Sequence, residues 1–205
     1  MDLINLLGDS PIFIEAGSCD GCDSKWFLDN FKYIKLYCFE PDGRAVEIFK
    51  KNIKDDRCIL YETALGNEDG VADFYECNGY PFKNDKEEWH KSSSIKKPKE
   101  HLINHPWCKF KDPKKVPVMK LDTWAKNNGI NHIDFIWADV QGAEKELILG
   151  ARNILYNTKF FYSEYSISEE YEGALNVDQI AQMLPDFSIL EVLESDVLFK
   201  NRSMI

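Results

Sequence analysis

Two segments of this chain each consist of an apolar run that ends in a turn of small residues and opens a helix. They are residues 13–21 (FIEAGSCDG) and residues 133–144 (IDFIWADVQGAE). In an open α/β sheet, ligands bind where the carboxyl ends of parallel strands meet such turns. The two segments therefore predict a parallel sheet with a ligand site along one edge.

The rest of the chain repeats this alternation of strand and helix, which is typical of a sheet covered on both faces. Strands are predicted over residues 11–16 and 133–138 within or beside the two segments, and over residues 36–40, 58–62, 71–75 and 160–163. The last two, residues 188–193 and 197–199, are joined by a tight turn, which predicts an antiparallel pair. We expect one domain over residues 1–205.

Residues 77–117 break this pattern. Five prolines interrupt any long helix there, so we predict an irregular insertion or lid. The segment is rich in aromatic residues, which argues against simple disorder: Tyr80, Phe82, Trp89, Trp107 and Phe110. His90, beside three serines, is a candidate to reach an acceptor.

Charge is unevenly distributed along the chain. The net charge is −10, yet residues 83–120 hold eleven lysines against five acidic residues. An acidic body disfavours extended nucleic-acid binding, although the lysine-rich segment could meet an anionic substrate. No apolar run is long enough to span a bilayer and no signal peptide is visible, so we expect no membrane partner and a cytoplasmic location with reduced cysteines. Cys19 and Cys22 have redox or zinc spacing, but no second close pair exists.

The first turn suggests a nucleotide site. Glu15, Gly17 and Gly21 form an acid-x-Gly-x-x-x-Gly pattern, and Glu40 ends the next strand, where a carboxylate can bind a ribose. The dinucleotide fingerprint and the P-loop are both absent. S-adenosylmethionine fits better, because it has no pyrophosphate and its sulfonium is attracted to carboxylates. Each residue also has a structural interpretation: Gly17 as a plain turn residue, Glu40 as an exposed strand end, Glu15 as a support for the loop.

At these positions the chain resembles the FkbM family of class I S-adenosylmethionine-dependent methyltransferases. The matching residues run in the family's order over residues 12 to about 165: Glu15, Gly17, Gly21 and Ser24; Phe39, Glu40 and Pro41; Ala64, Gly66 and Gly70; Leu121 and Asp122; Asp139, Gln141, Gly142 and Glu144. Three positions depart from the family: Trp137 stands in place of Lys, Gln141 in place of Glu and Cys19 in place of Asn.

The resemblance implies a single Rossmann-like class I methyltransferase domain, whose seven-stranded, mostly parallel sheet has its last strand antiparallel and helices on both faces. It implies S-adenosylmethionine as cofactor and O-methylation of a sugar, glycan or related natural product. The predicted cofactor-binding residues are Glu15, Gly17, Ser18, Gly21, Ser24, Glu40, Pro41, Ala64 and Asp139.

Asp139 and Glu164 are the predicted catalytic residues, since each ends a strand where an acceptor hydroxyl would be positioned or deprotonated. Asp139 could instead cap the following helix. A Mg²⁺ ion between the two carboxylates is conceivable but not favoured, so no metal ligand is assigned. Other hypotheses are methylation of RNA ribose or another polyanion, a non-catalytic cofactor-binding module, and a module of a longer polypeptide.

Overall fold

The computed structural model describes residues 3–8, 10–81 and 88–204. Its strands, in chain order, are β1 (Ile12–Ala16), β2 (Lys35–Phe39), β3 (Cys58–Tyr61), β4 (Ala64–Leu65), β5 (Gly70–Phe74), β6 (Cys77–Gly79), β7 (Cys108–Phe110), β8 (Lys114–Met119), β9 (Ile133–Ala138), β10 (Thr158–Glu164), β11 (Phe187–Val192) and β12 (Asp196–Asn201). Its helices are α1 (Leu3–Leu7), α2 (Cys22–Asn30), α3 (Gly43–Asn52), α4 (His101–Asn104), α5 (Leu121–Asn128), α6 (Glu144–Gly150) and α7 (Val177–Met183), with a 3₁₀ turn at Ile154–Asn157.

Seven strands form the central sheet, in the order β11-β12-β10-β9-β1-β2-β3. The five strands from β10 to β3 pair in parallel, while β12 runs antiparallel to both of its neighbours. This confirms the predicted seven-stranded sheet and its antiparallel last strand. Because β1 and β9 are adjacent, the ends of the two informative segments meet at one edge of the sheet.

The sheet separates two apolar cores, because successive side chains of a strand point to opposite faces. On β1, Phe13 joins the core that contains α1 and α2 residues, whereas Ile14 joins the core that contains α5, α6 and α7 residues. On β9, Phe135 and Ile136 divide in the same way. Burial on both faces explains the continuous apolar runs of these strands.

Trp137 is partly buried and packs against the first of these cores. Its ring stacks on Tyr162 with 4.2 Å between centroids and meets Phe27 edge-on at 5.4 Å. An aromatic residue in place of the family's Lys therefore packs on neighbouring rings, and offset stacking of this kind adds to the stability that burial provides.

Residues 77–117 are less irregular than their prolines predict. They contain β6, α4, β7 and most of β8, and β6 pairs with β7 across 28 intervening residues. Strands of three residues with so distant a partner leave no local signal in the sequence. Four prolines of the range lie between these elements, and Pro117 lies within β8.

Neither Asp122 nor Asp139 caps a helix. Helix α5 begins at Leu121 after Lys120, so Asp122 lies in its first turn; there its carboxylate accepts hydrogen bonds from the backbone N–H groups of Asn153 and Ile154. Helix α6 begins at Glu144, too far along the chain for Asp139 to cap it. Both carboxylates serve tertiary contacts, which cap patterns do not reveal.

Candidate active site

A cavity of about 240 Å³ opens at the carboxyl ends of β1, β2 and β9. We call it the first cavity. Six of the nine predicted cofactor-binding residues line it: Gly17, Ser18, Glu40, Pro41, Ala64 and Asp139. The structure therefore brings together residues from four distant parts of the chain at the edge where the sequence predicts a ligand.

Gly17 lets two backbone segments come into close contact beneath this cavity. Its φ is +84°, and a Cβ placed there would lie 1.8 Å from the carbonyl oxygen of Asp139. The Gly17 N–H donates to the carbonyl of Phe39 at 2.9 Å, and the Asp139 N–H donates to that of Ala16 at 3.0 Å. Only glycine allows the ends of β1 and β9 to approach this closely.

Glu40 is buried at the end of β2 and holds two loops. Its Oε2 accepts from the Cys19 N–H at 2.9 Å, and its Oε1 accepts from the Asp42 N–H at 2.7 Å. Burial raises the pKa of Glu40 to about 7, against the lowering effect of these two hydrogen bonds. A carboxylate oxygen has two lone pairs, so both oxygens keep acceptor capacity toward the cavity that Glu40 lines.

Ser18 presents an unsatisfied polar atom to the same cavity. The residue is 3% exposed, yet its hydroxyl has no hydrogen-bond partner among the described residues. A buried hydroxyl without a protein partner is free to hydrogen-bond a ligand or a water molecule in the cavity.

The other three predicted cofactor residues lie behind the first cavity. Glu15 accepts a hydrogen bond from the Ser24 hydroxyl and another from the Cys38 thiol at 3.2 Å. Burial raises the pKa of Glu15 to about 8. Gly21 precedes α2 with a φ of +81° and packs against Phe49 and Ile53, so that a Cβ there would lie 2.9 Å from both side chains.

Asp139 and Glu164 are joined by one amide group. The Nε2 of Gln141 donates to Asp139 Oδ1 at 2.7 Å and to Glu164 Oε2 at 2.9 Å. Burial, followed by the neighbouring charge of Asp139, raises the pKa of Glu164 well above its ordinary value, and burial also raises that of Asp139. The two carboxyl groups therefore keep a proton between them near neutral pH.

Gln141 itself is held in an unusual backbone conformation. Its φ is +50°, in the left-handed region of backbone conformation that residues other than Gly, Asn and Asp rarely adopt. Its carbonyl accepts from the Ser94 hydroxyl at 2.7 Å, and its Oε1 lies 3.2 Å from the Tyr171 hydroxyl, which donates to the Ser92 carbonyl at 2.7 Å. Strain of this kind persists where the surroundings fix the residue, and it is frequent at functional sites.

A second cavity of about 400 Å³ lies on the other side of this amide. Gln141 lines both cavities, Asp139 lines the first and Glu164 lines the second. Six of the sixteen residues that line the second cavity are aromatic and form what we call its aromatic wall: Trp89, His101, His105, Trp107, Tyr165 and Tyr171. Trp89 and Trp107 meet edge-to-face at 5.5 Å, and with His101 and His105 they make four side chains of the predicted insertion that form part of this wall.

Residues 88–95 of the insertion separate the two cavities. Trp89 and Ser92 line the second, whereas His90, Lys91, Ser93, Ser94 and Ile95 line the first. Arg44 ties this segment to the Glu40 loop: its guanidinium donates to Asp42, to the Ser93 hydroxyl and to the Cys77 carbonyl. No local pattern in the sequence marks Lys91, Ser93 or Tyr171 as a site residue, and none of the three was predicted. Gln141 was identified from the sequence only as a departure from the family pattern.

Cys19, Asp20 and His90 place three potential metal-ligand atoms within 4.8 Å of one another. Two observations argue against a metal there. The Lys91 ammonium lies 2.9 Å from Asp20, and burial raises the pKa of the Cys19 thiol, which keeps it protonated. A metal ligand has to be the thiolate.

Two comparisons with known proteins match most of this chain. The family model described as "Methyltransferase FkbM domain" matches residues 15–191. The 2-O-methyltransferase NoeI of Sinorhizobium fredii (strain NBRC 101917 / NGR234) is 39% identical over 199 residues, which cover 95% of this chain and 81% of that protein.

Solved structures share the fold at low sequence identity. A Listeria monocytogenes protein inferred to be an S-adenosylmethionine-dependent methyltransferase has a TM-score of 0.52 at 9% identity, covering 98% of this chain and 97% of its own. An rRNA methylase from Streptococcus thermophilus has a TM-score of 0.50 at 12% identity, covering 97% and 91%. At such identities the likeness shows the class I methyltransferase fold alone. With the family model matching residues 15–191 and the identity to NoeI, the chain belongs to the FkbM family of S-adenosylmethionine-dependent methyltransferases.

Proposed function

We propose that this methyltransferase acts on a hydroxyl of a sugar or glycan, with the cofactor in the first cavity and the acceptor in the second. The observation that carries the proposal is the junction of the two cavities at Gln141, with one carboxylate on each side. The similarity to NoeI, a 2-O-methyltransferase, supports transfer to oxygen.

The residues of the first cavity fit S-adenosylmethionine. Glu40, at the end of the second strand, has acceptor capacity left for the ribose hydroxyls, and the orphaned Ser18 hydroxyl supplies a polar partner. Ala64 and Leu65, apolar and buried, suit a purine ring. When bound, this cofactor supplies an electrophilic methyl group on a sulfonium.

The aromatic wall of the second cavity fits a sugar. The faces of indole and phenol rings pack against the C–H groups of a pyranose, while carboxyl and carbonyl groups bind its hydroxyls. Glu144, Glu164 and Glu170 supply acidic oxygens in this cavity. A neutral, hydroxyl-rich ligand therefore matches the lining better than a chain of phosphates would.

The carboxyl pair of Asp139 and Glu164 is proposed to orient the acceptor hydroxyl and to take its proton. The pair keeps one proton near neutral pH, so one of the two groups is an ionised carboxylate. That carboxylate can accept the proton of the acceptor hydroxyl. The Gln141 amide fixes both carboxyl groups, which keeps the base in one position.

We also propose that no divalent metal takes part. A Mg²⁺ ion between two carboxylates needs the oxygen lone pairs that face the gap. Here the Gln141 amide nitrogen occupies that gap and donates to both groups. A cytoplasmic location, and a place for this chain within a longer polypeptide, remain predictions.

The test is methyl transfer from labelled S-adenosylmethionine to a panel of monosaccharides and oligosaccharides. Asp139→Asn and Glu164→Gln should each lower turnover by about 10²–10⁴-fold, the usual contribution of a positioned base, while cofactor affinity changes only a few-fold. Glu194→Gln, which changes an exposed carboxylate on the neighbouring turn, is the matched control.

Full activity in both variants would remove the pair from the mechanism. Loss of wild-type activity on chelation, with rescue by Mg²⁺, would overturn the metal-free proposal. Methylation of no saccharide by an enzyme that binds the cofactor would overturn the acceptor class.

A further inference from the structure

An ion pair crosses the first cavity between two loops that are far apart in sequence. The Nζ of Lys91, from the insertion, lies 2.9 Å from Oδ2 of Asp20, in the glycine-containing turn after β1. The other oxygen of Asp20 accepts from the Cys22 N–H at 3.1 Å, so the carboxylate is fixed in place. Both residues line the cavity.

The two charges remain partly accessible. The Lys91 side chain is 43% exposed and that of Asp20 is 18% exposed. Although desolvation opposes both effects, the pairing lowers the pKa of Asp20 and raises that of Lys91. Both groups are therefore charged over the whole neutral range. An accessible pair of this kind contributes little stability, so it can open at small cost.

Two polar atoms beside this pair lack partners. The Ser18 hydroxyl and the Nε2 atom of His90 have no hydrogen-bond partner within residues 3–8, 10–81 and 88–204. Ser18 is buried to 97%. Unsatisfied polar atoms next to a cation and an anion point to a ligand group that carries both charges and several hydrogen-bonding atoms.

An α-amino acid group meets this description. Its carboxylate can pair with Lys91 and its ammonium with Asp20, so the ligand replaces one ion pair with two and leaves the total charge of the site unchanged. The cofactor of this family carries such a group at the end opposite to its adenine. With the ribose on Glu40, that end has to lie elsewhere along the cavity.

We propose that Lys91 and Asp20 bind the amino acid end of the cofactor, by opening their mutual ion pair and each taking the opposite charge of the ligand. This rests on the placement of the cofactor in the first cavity. The insertion then contributes a cofactor-binding residue, Lys91.

Two nucleosides separate this proposal from the placement of the cofactor itself. S-adenosylhomocysteine carries the amino acid end, whereas 5′-methylthioadenosine is the same thioether nucleoside without it. Their dissociation constants are measured by calorimetry for the wild type, Lys91→Met, Asp20→Asn and Lys97→Met. Asn keeps the oxygen that accepts from Cys22, and Lys97 is an exposed lysine of the same segment that pairs with Glu172.

We expect Lys91→Met and Asp20→Asn each to weaken S-adenosylhomocysteine binding about ten-fold, since a charge-assisted hydrogen bond is lost. Binding of 5′-methylthioadenosine should stay within two-fold, and Lys97→Met should change neither constant. Equal weakening of both nucleosides, or no weakening of either, would overturn the proposal. Failure of the wild type to bind either nucleoside would overturn the placement of the cofactor, and this proposal with it.

Discussion

Glu40 combines two tasks in one side chain. Its carboxylate joins the loops after β1 and β2 through the N–H groups of Cys19 and Asp42, and it faces the first cavity. Replacement by alanine would remove both functions at once. Replacement by glutamine keeps the shape and one acceptor oxygen, so it removes the negative charge and one of the two backbone hydrogen bonds but retains the other.

Glu40→Gln should weaken binding of S-adenosylhomocysteine by about 1.5–3 kcal/mol, the range for a hydrogen bond to a charged group. The carboxylate is the form that accepts both ribose hydroxyls, and burial raises its pKa to about 7. Wild-type affinity should therefore fall as pH decreases through 7, and the variant should lack this dependence. Calorimetry between pH 6 and 8 measures both effects.

Glu62→Gln provides the control for Glu40. Glu62 follows the next strand, β3, and its side chain is 58% exposed in an ion pair with Lys50. It should behave as the wild type. Unchanged affinity in Glu40→Gln would remove Glu40 from the cofactor site, whatever the behaviour of the control.

Gln141 has two structural features that its sequence does not reveal. A glutamine in place of the family's glutamate was visible, but neither its positive φ nor its two-way amide bridge could be derived from the sequence. The bridge depends on Asp139 and Glu164, which are brought together by the pairing of β9 with β10.

At the scale of elements, the turn after β1 depends on a glycine. Gly17→Ala would place a Cβ 1.8 Å from the Asp139 carbonyl oxygen at a φ of +84°. Backbone strain and displacement of the β9 end should lower the free energy of unfolding by about 2–4 kcal/mol. Denaturant unfolding measures the loss, and cofactor affinity should fall with it.

Gly43 offers a matched comparison at the start of α3. A Cβ there meets nothing within 4 Å. Gly43→Ala should therefore raise the free energy of unfolding by about 0.4–1 kcal/mol, because the unfolded chain loses conformational freedom. Equal effects of the two substitutions would show that the close contact at Gly17 is not what requires a glycine.

The elements that the sequence predicts well are those with local signals. Apolar runs bounded by small residues located the strands around the site, and Ile133–Ala138 was predicted to the residue. The strands β6 and β7 were missed because their pairing joins residues far apart in the chain. Six of the nine predicted cofactor-binding residues line the first cavity, because each stands at or shortly after the end of a strand with a local signal, whereas the positions of Lys91 and Tyr171 at the cavities depend on long-range packing.

Across the whole molecule, the lysine-rich segment is largely neutralised by the acidic body. Eight of its lysines form ion pairs: Lys91, Lys96, Lys97, Lys99, Lys111, Lys114, Lys115 and Lys120. Their partners include acidic residues of the body, such as Glu146 and Asp69. Within residues 88–120, the part of this segment that the structure describes, little positive charge is therefore left free for a polyanion. No helix of the described ranges is long and apolar enough to cross a membrane.

From these ion pairs we predict how the methylation rate depends on salt concentration. A neutral saccharide should be methylated at a rate that is nearly independent of salt between 50 and 200 mM, because no counterions are released on binding. A variant with Lys96, Lys97 and Lys99 changed to Ala should keep its activity on saccharides. These lysines pair with Glu146, Glu172 and Glu169, so their removal leaves three free acidic groups and makes the surface still more repulsive to phosphates.

The control changes Lys50, Lys51 and Lys54 to Ala, which alters the net charge equally at and just beyond α3. Methylation of saccharide and of RNA is measured for the three proteins across the salt series. Affinity for a polyanion that used the lysine-rich segment would fall steeply with salt, and the Lys96/Lys97/Lys99 variant would reduce that slope while the control would not. That pattern would show that the acceptor is a polyanion and would overturn the sugar as acceptor. The paired lysines and the aromatic wall predict instead that all three proteins methylate saccharide at a rate that does not change with salt concentration.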